Sequence, residues 1–288
     1  MSSTLKLKRN ETFSIRDGWL EKAINIIPEN NLCLKKENGP KFLGLGSNMC
    51  KSLRFWLEAS KIATFSNGTA TLTEFGNLLH RYDPFLDTKF SWWIIHLNLV
   101  SDFEENPVFN TFFNITYDKF DKEQVFIRLK DYYSKNDFEI SSESSLESDI
   151  GIVLKSYYNA DFSNPENNLK CPLSNLNLLD LKSKKVYVRN APTFDSLDYR
   201  IVFYSILLSL YFNNINISFN IQDYYELENT PLKFFNLSKS SFLLYLEEMK
   251  KNGLITLIKT AGLNIVTILK KLTLTEIFES YFTEDKNA

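Results

Sequence analysis

The apolar residues of this chain follow two spacings, and the order in which the spacings alternate is informative. Near the start, Trp19, Leu20, Ala23, Ile24 and Ile27 recur at helical intervals behind Asp17, a residue able to cap, so a helix is predicted over 17–27. Residues 28–40 are polar, begin and end on proline, and read as a connection. Gly44 and Gly46 then break the chain before a second amphipathic stretch, from Ser47 as cap to about Ser60. Met49, Leu53, Trp56 and Leu57 share one face of it. Asn48, Lys51 and Glu58 share the other, with Arg54 on the border. Strand-like runs follow over 62–65 and 69–72, either side of Asn67-Gly68, a strong two-residue hairpin signal, and Thr73 can cap the next helix. Helix, glycine turn, polar-faced helix and hairpin is the order of a winged helix-turn-helix.

The middle of the chain reads as helical. Residues 88–102 are densely apolar, with Trp92, Trp93, Ile94, Ile95, Leu97 and Leu99, while 121–134 and 145–158 are amphipathic. Residues 159–170, with Pro165, read as a loop, and 184–189 alternate as a brief strand. A buried helix is predicted over 195–211, a short one over 221–227 and a turn over 230–236. Ser238 caps a helix running to about Asn252, with Phe242, Leu246 and Met249 inward, and Gly253 stops it. Residues 254–259 and 263–269 read as strands joined around Ala261-Gly262, and Thr273 starts a closing helix. The expected fold is mainly α: two winged helix-turn-helix units with small β-hairpin wings flank a helical middle, over 1–85, 86–190 and 191–288.

Composition narrows the classes further. With 44% hydrophobic and 24% charged residues in 288, the chain is an ordinary globular one. No apolar run approaches the roughly 20 residues of a membrane-spanning helix, and Met1–Asn10 is polar and basic, unlike a secretory signal. The cytoplasm is the expected location. Three cysteines and two histidines are too few and too scattered for a disulfide framework or a zinc site. A formal net charge of −2 provides no global basic field, so any contact with nucleic acid must come from local patches.

Two such patches stand out. Ser47, Asn48, Lys51 and Ser52, with Arg54 at the border, form the polar face of a helix able to enter a DNA groove, lysine meeting phosphates and asparagine reading adenine. Lys239, Ser240 and Ser241 start the C-terminal helix and Lys259 lies in its hairpin, a set suited to phosphates, although Glu247 and Glu248 sit mid-helix. Both patches also fit an ordinary solvated helix face. His80, Asp83 and Asp87 could together bind a divalent ion or serve as acid and base, but their spacing matches no ligand pattern, so Asp83 and Asp87 are read as helix caps around Pro84 and His96 as a hydrogen-bonded core residue. Glu248-Met249-Lys250 spells the E-x-K of some nucleases, but it falls in a predicted helix rather than on a strand. No phosphate-binding glycine loop or nucleophile elbow is present. Binding rather than catalysis is expected, with no metal and no cofactor.

Four stretches carry a family resemblance: Glu11–Leu20, Leu43–Met49 through Trp56, Asp83–Asp87 through His96, and Cys171-Pro172-Leu173. In this order they resemble a bacterial and archaeal family known as domain of unknown function 4007. Its glycine turn reads L-G-[VI]-G-K-N-M, and this chain has Ser47 in place of the lysine, one positive charge fewer. Family members are encoded beside prokaryotic defence and DNA-modification genes, phosphorothioation systems among them. The resemblance therefore implies a DNA-directed accessory protein of phage defence, with double-stranded DNA and other defence-system proteins as partners and a homodimer allowed. The alternative is a scaffold within such a system that touches no DNA.

Overall fold

A computed structural model describes residues 3–35, 37–115, 117, 119–158, 170–183, 185–260 and 263–284, with the backbone alone at 259, 260 and 263. The chain forms two compact units: Met1–Phe112 with Tyr117–Asn190, and Phe113–Thr116 with Ala191–Ala288.

In the first unit a short strand, Ser3–Thr4 (β1), precedes helices Trp19–Ile26 (α1), Gly39–Leu43 (α2) and Ser47–Ala59 (α3). The hairpin Ala63–Ser66 (β2) and Thr69–Leu72 (β3) and the helix Glu74–Tyr82 (α4) come next. The hairpin closes through Asn67 and Gly68 at φ 49° and 78°, the paired positive angles of a type I′ turn. Gly76 in α4 is required by contact rather than by φ, since a Cβ there would stand 2.1 Å from the Ile62 carbonyl oxygen.

Two expected caps are corrected. Gly18, at φ 75°, is the N-cap of α1, so Asp17 lies outside the helix. Ser47 is the first residue of α3, and the extended Gly46 occupies its cap position with no side-chain hydrogen bond. A glycine N-cap costs only a few tenths of a kcal/mol relative to serine.

Lys89–Ser101 (α5) is the core helix, with every residue from Phe90 to Ser101 buried. A helix apolar on all sides has no solvent face and must be surrounded. Its His96 Nδ1 lies 2.6 Å from the Tyr157 hydroxyl. Pro107–Asn114 (α6), Lys119–Phe120 (β4), Lys122–Lys135 (α7), Phe138–Glu139 (β5), Glu143–Tyr157 (α8), Leu179–Ser183 (β6) and Val186–Arg189 (β7) follow, with a 3-10 turn over Pro172–Leu176. Asp121 and Gln124 form a reciprocal capping box on α7.

The middle is thus mixed rather than purely helical. β4, β7 and β6 make an antiparallel sheet, and β1 pairs with β5 in parallel. Of the loop expected over 159–170, all but Lys170 lies outside the described residues.

The second unit comprises Tyr199–Phe212 (α9), Ser218–Asn220 (β8), Ile221–Tyr224 (α10), Pro231–Phe234 (α11), Lys239–Lys251 (α12), Ile255–Thr260 (β9), Leu263–Ile268 (β10) and Leu274–Glu284 (α13). Residues 195–198, expected in the helix, instead hold part of a 3-10 turn and Asp198, which caps α9 by accepting from the Arg200 amide. The expected turn over 230–236 contains α11. Ser238 accepts from the Ser241 amide and caps α12. β8, β10 and β9 form an antiparallel sheet in that order, with Val266 and Leu257 paired on its buried face.

Candidate nucleic-acid interface

Helix α3 is seated by contacts from distant residues. The Trp56 indole N–H donates to the Phe13 carbonyl at 3.0 Å, and the Ser52 hydroxyl donates to the same oxygen at 3.5 Å. At its C-terminal end, the side-chain amides of Asn98 and Asn106, both buried, donate to the carbonyls of Ser60 and Ala59 at 2.9 and 3.3 Å. Last-turn carbonyls have no partner within a helix, so these two asparagines supply them. The helix is held along its middle and at its C-terminal end before any ligand arrives.

Of the five predicted residues on α3, four share an accessible surface: Ser47, Asn48, Lys51 and Arg54 are exposed. Ser52 is fully buried beneath the 9–13 segment, so it leaves the set. Met49, expected inward, is half-exposed. The Arg54 guanidinium lies 4.6 Å from the centre of the Phe65 ring in β2, a cation–π contact that couples helix and hairpin.

Carboxylates offset this basic surface. Lys51 Nζ stands 3.8 Å from Glu11, and Arg54 stands 3.7 Å from Glu58 one helical turn on. Arg9, over the Phe55 ring, also reaches Glu58 at 3.7 Å and pairs with Glu105, as does Lys6. The Lys6 hydrogen bond first, and Arg9 with it, hold the Glu105 carboxyl below the usual carboxylate range. Exposed pairs of this kind are worth about 0–1 kcal/mol each, little enough for a phosphate to displace. Sequence periodicity gave no sign of Arg9 or Glu11, because the segment turns through left-handed residues at Lys8, Glu11 and Thr12.

In the second unit the predicted residues are less available. Lys239 pairs with Glu226 at 3.5 Å and lies 4.7 Å from the Tyr225 ring centre. The hydroxyls of Ser240 and Ser241 sit 2.9 and 2.8 Å from the Ser238 cap hydroxyl. The side chain of Lys259 lies outside the described residues. The outward face of α12 carries Leu243 and Leu244, 37% and 59% exposed, and Ile258 and Leu269 are 51% and 55% exposed.

Among the described residues no three His, Cys, Asp or Glu side chains converge as metal ligands. Asp83 ends α4, its amide donating to Leu79, but its buried carboxylate braces the turn rather than capping a helix: it accepts from the amides of Asp87 and Thr88 and from the hydroxyls of Thr88 and Ser91, at 2.6–3.2 Å. Asp87 does not cap; Thr88 is the N-cap of α5, accepting from the Ser91 amide. Nearby, burial first, with the carboxylates of Asp17, Asp83 and Asp87 adding to it, pushes Glu21 up to about 7. Among the described residues one buried Glu21 oxygen has no hydrogen-bond partner. The three cysteines are free and buried, and burial raises each thiol, Cys171 to about 12, unlike reactive thiols.

Fold and surface together define a largely helical chain with small sheets and a helix–hairpin unit bearing exposed cations. Among the described residues no helix is long and apolar enough to cross a membrane. The chain belongs to the family described as Protein of unknown function (DUF4007), whose model matches residues 7–282. Two solved structures share its fold. A magnesium ion-bound SspB crystal structure has a TM-score of 0.79 at 19% identity, covering 99% of this chain and 88% of that one. An SspB crystal structure has a TM-score of 0.78 at 20% identity, covering 99% and 89%. No curated protein matches the chain.

Proposed function

We propose that the chain is a DNA-binding accessory protein of a prokaryotic phage-defence or DNA-modification system of the phosphorothioation type, using two winged helices. Connectivity supports the winged reading. In the second unit helix α9, strand β8, helices α10 to α12 and strands β9 and β10 follow one another with sheet order β8-β10-β9, the winged-helix arrangement. In the first, the Ala70 amide of β3 donates to the Asn31 carbonyl at 2.8 Å, where the link between α1 and α2 stands in for the first strand. The defence context rests on membership of the family.

The observation that carries DNA contact is the exposed pair Lys51 and Arg54, three residues apart on α3 and joined to the hairpin through Phe65. The test is duplex binding by the full chain as a function of salt, for wild type and for the double variant Lys51→Glu, Arg54→Glu. Removing one phosphate interaction lowers the salt slope of log affinity by about 0.9, so the double change lowers it by about 1.8 and largely removes binding. Both side chains are exposed, so the melting temperature is expected to hold. Runs with and without magnesium are included because one structural neighbour is a magnesium ion-bound form. Unchanged binding in the double variant would move the DNA interface off α3.

A second reading, favoured by Leu243 and Leu244 on the outward face of α12, is that the second unit docks a protein partner rather than DNA. Failure of the wild type to bind duplex, modified or not, at any salt would leave this scaffold role as the function.

A further inference from the structure

The first unit has a groove of about 420 Å³ between the α4–α5 turn and the 3-10 turn over Pro172–Leu176. That volume is in the range of small-molecule sites, about 300–1,000 Å³. Leu86, Trp92 and Leu176 lie at its base, almost wholly buried, and its open rim is polar. Asp87 and Lys89 stand on one lip, Asn175 and Asn177 on the other, and all four are exposed. Among the described residues these four side chains make no hydrogen bond and no ion pair. By contrast, Lys6, Arg9, Lys51, Arg54 and Lys61 in the same unit each have a carboxylate partner.

Both lips are held rigidly in a backbone conformation that non-glycine residues seldom adopt. Leu86 has φ 51° and Asn177 φ 54°. Leu86 is fixed by its amide on the Asp83 carbonyl and by the Trp92 indole N–H donating to its own carbonyl at 2.9 Å. The four hydrogen bonds accepted by the Asp83 carboxylate lock the residues that follow. Asn177 donates its amide to Ser174 and accepts from the Asn190 side chain at 3.3 Å. Left-handed leucine persists only where its surroundings over-determine it, and such positions cluster at ligand sites.

The rim is electrostatically graded. Lys89 is the first residue of α5, so its ammonium adds to the positive end of a helix, the favoured place for an anionic group. Two residues earlier the Asp87 carboxylate offers acceptors only, which suits amino or hydroxyl donors. The carboxamides of Asn175 and Asn177 each offer a donor and an acceptor, matching the edge of a planar heterocycle. We propose that this groove binds a nucleoside monophosphate: phosphate toward Lys89, sugar hydroxyls or base amino group toward Asp87, and base edge toward the asparagines. The site is separate from the α3 surface and does not depend on the DNA-binding reading.

Isothermal titration of the full-length protein with AMP, GMP, CMP and UMP tests the proposal, with adenosine and inorganic phosphate as partial ligands. At least one monophosphate is expected to bind at one per chain with a dissociation constant below roughly 1 mM. Lys89→Glu should weaken it by about tenfold or more, and Asp87→Asn should weaken adenosine while leaving phosphate unaffected. Both residues are exposed, and melting temperatures check that the variants fold. The Lys51→Glu, Arg54→Glu variant should bind the nucleotide as wild type does. The assignment is overturned if no monophosphate binds, if Lys89→Glu and Asp87→Asn both bind normally, or if inorganic phosphate binds as tightly as the nucleotides.

Discussion

Replacing Asp83 with alanine tests whether this carboxylate organises the α4–α5 turn. In the native protein it is 4% exposed and accepts hydrogen bonds from Asp87 N, Thr88 N, Thr88 Oγ1 and Ser91 Oγ. Hydrogen bonds to a charged group are worth about 1.5–3 kcal/mol each, but the four contributions do not add. The two hydroxyls already lie 3.2 Å apart and can pair with each other once the carboxylate is gone. What remains is two main-chain amides at a half-open turn, next to a left-handed Leu86 that keeps its own two hydrogen bonds but loses the anchored residues that follow it. A destabilisation of about 3–4 kcal/mol follows, which for a unit of this size lowers the melting temperature by roughly 10 °C. Asp83→Asn, which keeps the shape and one acceptor oxygen, should fall between the two. Calorimetric or circular-dichroism melts measure both variants. A drop under about 2 °C in Asp83→Ala would refute the reasoning, because it would mean that water replaces all four bonds at no cost.

Glu21→Gln addresses a second, half-buried carboxyl through pH. With Glu21 raised from 4.5 to about 7 in the folded chain, the folded state binds more protons than the unfolded across that interval, so stability falls as pH rises through it and levels off above. The full shift would be worth about 3 kcal/mol, and partial solvent access lowers this to about 2 kcal/mol. The glutamine variant should therefore be more stable than wild type by about that amount at pH 8 and equal to it near pH 4 in urea melts; equal stability at both would sink the assignment. Gly76→Ala should cost several kcal/mol, on the order of 3, because the Cβ meets a main-chain oxygen at 2.1 Å that cannot move without separating α4 from the hairpin. A melt unchanged within about 2 °C would contradict that packing.

Much of the secondary structure was legible because its signals act over a few residues. Thr73, Asp121 and Ser238 each reach an amide of the adjoining first helical turn, and Asn67-Gly68 needs nothing beyond its own two backbone angles. Strands β4, β6 and β8 were harder to see, since short segments become strands only through partners elsewhere: β4 by β7, 67 or more residues on, and β8 by β10. The candidate surface divides in the same way. Lys51 and Arg54 are outward by helical phase, which any amphipathic reading finds. Ser52 has a polar side chain and reads as part of that face, yet it is buried because the Phe13 carbonyl, 39 positions earlier, comes down on it.

By itself, then, the sequence determined the helix–hairpin order at each end of the chain, the core character of α5 and the outward direction of the α3 cations. These follow from side-chain spacing and from caps and turns whose geometry is local. Tertiary structure decided which charges face one another and which polar groups remain open. Glu11 opposes Lys51, Asp83 commits its carboxylate to the inside of a turn, and the turn at Leu86 meets the one at Asn177 across a groove. Each of these juxtapositions joins residues brought together by packing, and the energy of a hydrogen bond or ion pair depends on distance in space rather than on distance along the chain.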